Sequence, residues 1–215
     1  MVLGIYGSGG TGRNVKEIAE VIGTWNEIVF IDDTVKSGIY KGVCRMPFQC
    51  FVQKYSKEAA EVIIALGEPE HKINLYNKVK KAGYDFANVI HPSAEISPSA
   101  TVGRGLIIKN GSIVSSDAVI EDNVCLEFNA LIGHNCVIHR NCQISSMVVV
   151  GGYSEIGEGT YVAQSVPIKE NIKIGANSVI GMGAVVLRDI PENVIALGNP
   201  ARAMRSKNES KVFKN

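Results

Sequence analysis

From residue 96 to residue 186 every sixth residue is aliphatic: Ile96, Val102, Ile108, Val114, Ile120, Leu126, Ile132, Ile138, Ile144, Val150, Ile156, Val162, Ile168, Ile174, Ile180 and Val186. A period of six matches neither the 3.6-residue turn of a helix nor the two-residue alternation of a flat strand. It fits short parallel strands wound three to a coil, so that equivalent positions recur every 18 residues and stack about 4.8 Å apart. The fourth residue after each aliphatic is usually small, as in Ser112, Ala118, Ala130, Cys136, Cys142, Ser154, Thr160, Ser178 and Ala184. One aliphatic and one small side chain per face would then fill a triangular prism roughly 25 Å tall. Glycine or a polar residue often follows the aliphatic directly (Gly103, Glu121, Gly133, Gly151, Gly157, Gly175, Gly181), and these positions are expected to form the corners.

The first ninety residues have another rhythm. Val2–Tyr6 is a short apolar run ending in Gly7-Ser8-Gly9-Gly10-Thr11-Gly12, and 13–21 has helical spacing. Strands are expected at Glu27–Ile31, 62–66 and 85–90, with a helix over 71–82. Strands alternating with helices imply a parallel sheet covered by helices, a Rossmann-like domain over residues 1–91. The prism follows over 92–206, and 207–215 is read as a tail, frayed or a short helix. A glycine turn between strand and helix lets backbone N–H groups approach a phosphate, although alone it reads equally as a tight turn.

Lys+Arg 22 against Asp+Glu 21 gives a net charge of +1, which argues against a nucleic-acid partner. No apolar run approaches the ~20 residues of a membrane span and no basic leader opens the chain, so a cytoplasmic protein without membrane association is expected. Five cysteines without C-x-x-C spacing indicate neither disulfides nor a zinc site. With only His134 and His139 inside the repeat, no metal is expected there.

The repeat resembles that of the left-handed parallel β-helix of bacterial hexapeptide acyltransferases, and the left hand is implied by that resemblance. Over nearly the whole chain, the motifs Ile5-Tyr6-Gly7-Ser8-Gly9-Gly10-Thr11-Gly12, Ile31-Asp32-Asp33, Ala65-Leu66-Gly67 and Ile90-His91-Pro92-Ser93-Ala94 are similar to those of the PglD/NeuD-type sugar acyltransferases. The resemblance implies that Tyr6, Gly7 and Ser8, with Gly9 and Gly10, face a nucleotide sugar. Asp32 and Asp33 would meet its base or ribose, and Gly67 the same pocket. It implies that His134 is the general base, at the outward third place of its hexad, where position alone reads equally as a solvated histidine. Imidazole titrates near neutral pH, which suits deprotonating an acceptor that attacks a thioester. It implies acetyl-CoA as acyl donor, bordered by Gly152, Gly181, Gly183 and Ala184, with Arg202 of Gly198-Asn199-Pro200-Ala201-Arg202 on phosphate; these last segments could also merely cap the prism.

Three positions depart from the family pattern: Thr11 stands where histidine is common, Asn135 where an acidic residue follows the base, and Glu127 where asparagine is common. Because Asp117 lies 18 residues before Asn135, one coil away, Asp117 or Glu127 is expected to supply the missing carboxylate. His71 and His91 are expected to be structural, and His139 exposed. The outward residues Ile113, Leu131 and Val149 form an apolar column that suggests a homotrimer. The implied activity is N-acetylation of a nucleotide-linked amino sugar. O-acetylation of sialic acid or another sugar and non-catalytic binding of a sugar nucleotide are the alternatives.

Overall fold

The computed structural model describes residues 1–206 and Val212; the tail expected at 207–215 lies, apart from Val212, outside the described residues. The N-terminal domain runs β1 (Val2–Tyr6), α1 (Gly10–Ile22), β2 (Glu27–Ile31), β3 (Gly38–Tyr40), β4 (Val43–Met46), α2 (Phe48–Lys54), β5 (Ala60–Ile64), α3 (Pro69–Lys81) and β6 (Asp85–Phe86). Its sheet has the order β3-β4-β2-β1-β5-β6, parallel except for the β3–β4 hairpin. β1 is central, and its alternating side chains serve two cores. Leu3 and Ile5 pack with Val15, Ile18 and Ala19 of α1, while Tyr6 packs with Phe48 and Phe51 of α2 and Val79 of α3. The chain leaves β1 for β2 on one side and β5 on the other, and a crevice opens at such a switch point, beyond the carboxyl ends of the strands.

Sixteen two-residue strands follow, one every six residues, from β7 (Val89–Ile90) to β22 (Val179–Ile180). The second residue of each strand turns inward, and Ile108, Leu126, Ile132, Ile138, Ile144, Val150, Ile156, Val162 and Ile180 are fully buried. Pairing runs every third strand, always parallel. The first face stacks β7, Ile107–Ile108, Cys125–Leu126, Gln143–Ile144, Tyr161–Val162 and β22. It ends in β23 (Val194–Leu197) and the antiparallel β24 (Arg202–Ser206). Five strands make the second face, beginning at Glu95–Ile96, and five the third, beginning at Thr101–Val102. The prism therefore starts one strand before residue 92. The segment 85–90, read as one strand, is split between the two domains.

The corners also sit elsewhere than expected. The left-handed residue is the third after each aliphatic, with φ between 54° and 73° at every such position from Gly105 to Gly183. Asparagine and glycine hold most of these places because their αL conformation is the least strained. Glycine directly after the aliphatic has another cause. A Cβ on Gly133 would lie 2.7 Å from the Gly152 nitrogen and the Val150 oxygen of the next coil. The small inward residues do more than fill space. Ser112, Cys136, Ser154 and Thr160 each donate to a carbonyl 15 residues on, tying adjacent coils. Burial pushes the thiols of Cys125 and Cys142 up to about 12, so neither is a nucleophile near neutral pH.

The N-terminal domain docks on the first face. Ile107 and Cys125 join the α1 core, and the buried Lys72 of α3 donates to the Cys142 carbonyl at 3.2 Å. No helix among the described residues is long and apolar enough to cross a membrane.

Candidate active site

A cavity of about 500 Å³ opens at the switch point, a size suited to a small organic ligand. Its floor is the turn after β1: Gly7, at φ +116, and Gly12, where a Cβ would meet the Gly7 oxygen at 1.9 Å, let that turn close against the start of α1. Gly9 and Gly10 have open space where a Cβ would stand. Their backbone edge and the amino end of α1 therefore face the cavity, an arrangement that favours an anion. Tyr6, Gly7, Ser8, Gly9, Gly10, Asp32, Asp33 and Gly67, all expected from the sequence, line it.

The two aspartates hold the cavity's shape. Asp32 accepts from Ser8 Oγ at 2.5 Å and from both the N–H and the hydroxyl of Thr34. Asp33 accepts from Tyr6 Oη, from Lys78 Nζ at 2.5 Å and from the Phe48 N–H at 2.8 Å. Burial by itself would raise both carboxyls. The bonds from Ser8 and Thr34 to Asp32, and from Lys78 and Tyr6 to Asp33, outweigh it and hold both below the usual carboxylate range. Burial, then the Asp33 carboxylate, drives the Tyr6 phenol the other way, far above its ordinary value. The cavity wall thus keeps two anions and a neutral phenol near neutral pH.

His134 lies on the edge between the second and third faces, immediately after the strand Leu131–Ile132. That edge is opposite the first face, where the chain's own N-terminal domain docks. The ring is exposed. Its Nδ1 meets Asn135 Oδ1 at 3.0 Å. An amide oxygen can only accept, so in the neutral ring Nδ1 is the nitrogen that carries the proton and Nε2 the one with the lone pair. The ring lies over Gly152, one coil on, where a Cβ would sit 2.8 Å from Nε2. Tyr153 stands beside it, ring centroids 5.0 Å apart and planes at 89°.

Neither carboxylate expected as partner is hydrogen-bonded to the imidazole among the described residues. Glu127 belongs to the first face, where it pairs with the buried Lys109 at 2.5 Å and accepts from Gln143 Nε2. Asp117 does occupy the corner one coil before Asn135, yet among the described residues neither carboxylate bonds to His134. Asn135 is the residue that bonds the ring, through a neutral amide.

The late-coil residues are brought together less tightly. Ala184 is buried in the prism core and its N–H bonds the Gly181 oxygen, so neither its side chain nor its amide is free to meet a ligand. Gly183, at φ +67, has open space beside it. Arg202 opens β24 and is exposed, one guanidinium nitrogen bonding the Ala201 carbonyl. Three histidines complete the inventory. His91 bonds Ser93 at the domain junction. His71, expected to be structural, lines the cavity with Asn74 and Leu75 of α3; only the strand-loop-helix order after β5 could have suggested it. His139, expected to be exposed, is half-buried between Glu121 at 3.1 Å and Glu155 at 3.0 Å on the third face. The 18-residue spacing to Glu121 carried that signal.

Residues 2–79 match the PglD N-terminal domain family, and 117–152 match the bacterial transferase hexapeptide family as six repeats. Over 94% of its length the chain superposes on 98% of the acetyltransferase domain of PglB from Neisseria gonorrhoeae, in complex with acetyl coenzyme A, at TM-score 0.90 and 28% identity. PerB from Caulobacter crescentus, in complex with CoA and GDP-perosamine, aligns over 95% of this chain and 98% of its own at TM-score 0.86 and 25% identity. WeeI from Acinetobacter baumannii shares the fold at TM-score 0.77 and 23% identity, over 95% of this chain and all of its own. An α/β domain leading into a β-helix-like stack of short parallel strands is the fold this chain shares with them. With a match to the PglD N-terminal domain joined to transferase hexapeptides, on a fold shared with the PglB acetyltransferase domain, the chain is similar to the PglD/NeuD-type sugar acyltransferases.

Proposed function

We propose that the protein transfers the acetyl group of acetyl-CoA to the amino group of a nucleotide-linked amino sugar, with His134 as general base. The observation that carries this reading is the imidazole itself: exposed, with Nδ1 satisfied by Asn135 and Nε2 bonded to nothing among the described residues. The amine nitrogen attacks the thioester carbonyl carbon while its proton passes to Nε2. The C–N bond forms, the tetrahedral adduct collapses, the C–S bond breaks, and the departing thiolate takes the proton from the imidazolium. The products are the N-acetylated sugar and CoA thiol. The Gly152 N–H, which donates to no carbonyl among the described residues, is the donor this reading assigns to the oxyanion. The neighbours' ligands, acetyl coenzyme A in the PglB domain and CoA with GDP-perosamine in PerB, support the same donor and acceptor classes here.

His134 and the cavity of one chain lie on opposite sides of the prism, so we infer that the site is completed by a neighbouring copy in a homotrimer. The column Ile113, Leu131 and Val149 on the second face, 36% exposed at Ile113 and 43% at Val149, supports that assembly. A thiol-release assay against UDP- and GDP-linked amino sugars tests the reading. Turnover is expected with an amino acceptor, and His134→Ala should lower it by about 10²–10⁴. Turnover with sialic acid instead would favour O-acetylation, nucleotide-sugar binding without thiol release would favour a binding protein, and undiminished turnover in His134→Ala would remove the general base.

A further inference from the structure

Fourteen consecutive corners of the prism carry a left-handed residue, from Gly105 to Gly183: six asparagines, four glycines, Asp117, Ser165, Met147 and Tyr153. A bulky side chain at φ > 0 is strained, and such strain persists where the surrounding structure requires it. Met147 and Ser165 stand on the edge between the first and second faces. Tyr153 stands on the edge of His134, one coil after Asn135, with φ 60° and 60% of its surface exposed. Burial within the chain itself therefore does not explain why an aromatic residue occupies this corner. Its backbone N–H donates to the His134 carbonyl at 3.0 Å, and its ring stands perpendicular to the imidazole at 5.0 Å.

We infer that Tyr153 is a positioning residue for His134: its ring, set perpendicular to the imidazole above Gly152, holds Nε2 in the direction of the acceptor. This rests on the general-base reading above. The physical need follows from Asn135, whose amide can orient the imidazole through one bond but cannot stabilise imidazolium as a carboxylate would. An exposed ring on one hydrogen bond retains rotational freedom. The Gly152 backbone restricts it from one face, and Tyr153 restricts it from the side. Perpendicular ring pairs of this separation are mutually attractive. What matters is the ring, because no hydrogen bond engages the Tyr153 hydroxyl among the described residues.

The test uses the full-length protein with three substitutions. Tyr153→Asn installs the residue most common at these corners, so the variant is expected to melt no lower than the parent, while kcat falls about tenfold with both KM values within about twofold. Tyr153→Phe keeps the ring and is expected to restore what Tyr153→Asn loses. The His134 ring protons, read by NMR without substrate, should be displaced by the aromatic ring current in the parent and in Tyr153→Phe, and lose that displacement in Tyr153→Asn. Parental kcat or unchanged ring-proton shifts in Tyr153→Asn, or an equal loss in Tyr153→Phe, would overturn the inference. If His134→Ala abolishes turnover while Tyr153→Asn does not reduce it, only this inference falls; if His134→Ala turns over normally, the general-base reading falls with it.

Discussion

Gly133 and Gly152 stand one residue before and one coil after His134, and a methyl group at each should have opposite consequences. At Gly133 the new Cβ would meet backbone atoms of the next coil at 2.7 Å, which can yield only by moving the coil. Gly133→Ala is therefore expected to cost about 1–3 kcal/mol by thermal or urea melting. At Gly152 the obstacle is the exposed imidazole, 2.8 Å from the would-be Cβ, and a side chain can swing away. Gly152→Ala is expected to change stability by less than about 0.5 kcal/mol. Its kcat should fall about 10–100-fold, because the base is displaced from its working position. A Gly152→Ala enzyme with parental kcat would show that this placement of the ring does not matter to turnover. The aspartates illustrate a different division of labour: Asp32 and Asp33 are engaged by Ser8, Thr34, Tyr6 and Lys78, so their first task is to hold the cavity open.

The strands of the third face carry a ladder of charge: Glu121, His139, Glu155 and Lys173, with Lys173 Nζ 3.2 Å from Glu155. Burial opposes charge on His139, but its hydrogen bonds to Glu155 and Glu121, and their negative charge, outweigh it and raise its pKa above the ordinary imidazole value. A pKa raised on folding means that the native state binds the proton more tightly than the unfolded chain. The resulting stabilisation is fully present below the unfolded-state pKa, about 6.5, and is lost as pH rises through the folded-state value. Stability measured by urea melts is expected to decline across that window, and His139→Gln to flatten the decline. An identical slope in the variant would assign the pH dependence to other groups. These elements were legible to different degrees. The inward Ile and Val residues announce the prism because a six-residue period has few other solutions. The hairpin β3–β4 and α2 were not read, since Gly38–Tyr40 and Phe48–Lys54 are too short to establish a period. Glycine directly after an aliphatic looks like a turn in the sequence, whereas coil contact at Gly133 demands it and the left-handed residue is two positions later.

At the scale of the whole molecule, the sequence orders the parts but does not show which of them meet. The 18-residue spacing to Asn135 makes Asp117 a candidate partner for His134, and the departure from the family pattern makes Glu127 another. Yet Glu127 lies on the first face, paired with Lys109, and only folding assigns the faces. The same assignment separates the cavity of one chain from its own imidazole. Subunit complementation tests the claim that a cavity and a neighbouring chain's His134 form one site. Gly9→Asp is the partner variant: Gly9 has open space and ordinary φ of −74° at the N-cap of α1, so aspartate should fold well there while repelling a phosphate. His134→Ala and Gly9→Asp trimers are each expected to be inactive, whereas every mixed trimer holds one working site in three, so the randomly assembled co-expressed population should recover about a quarter of parental sites. Mixed trimers that stay inactive, with both variants present in one assembly, would contradict the shared site.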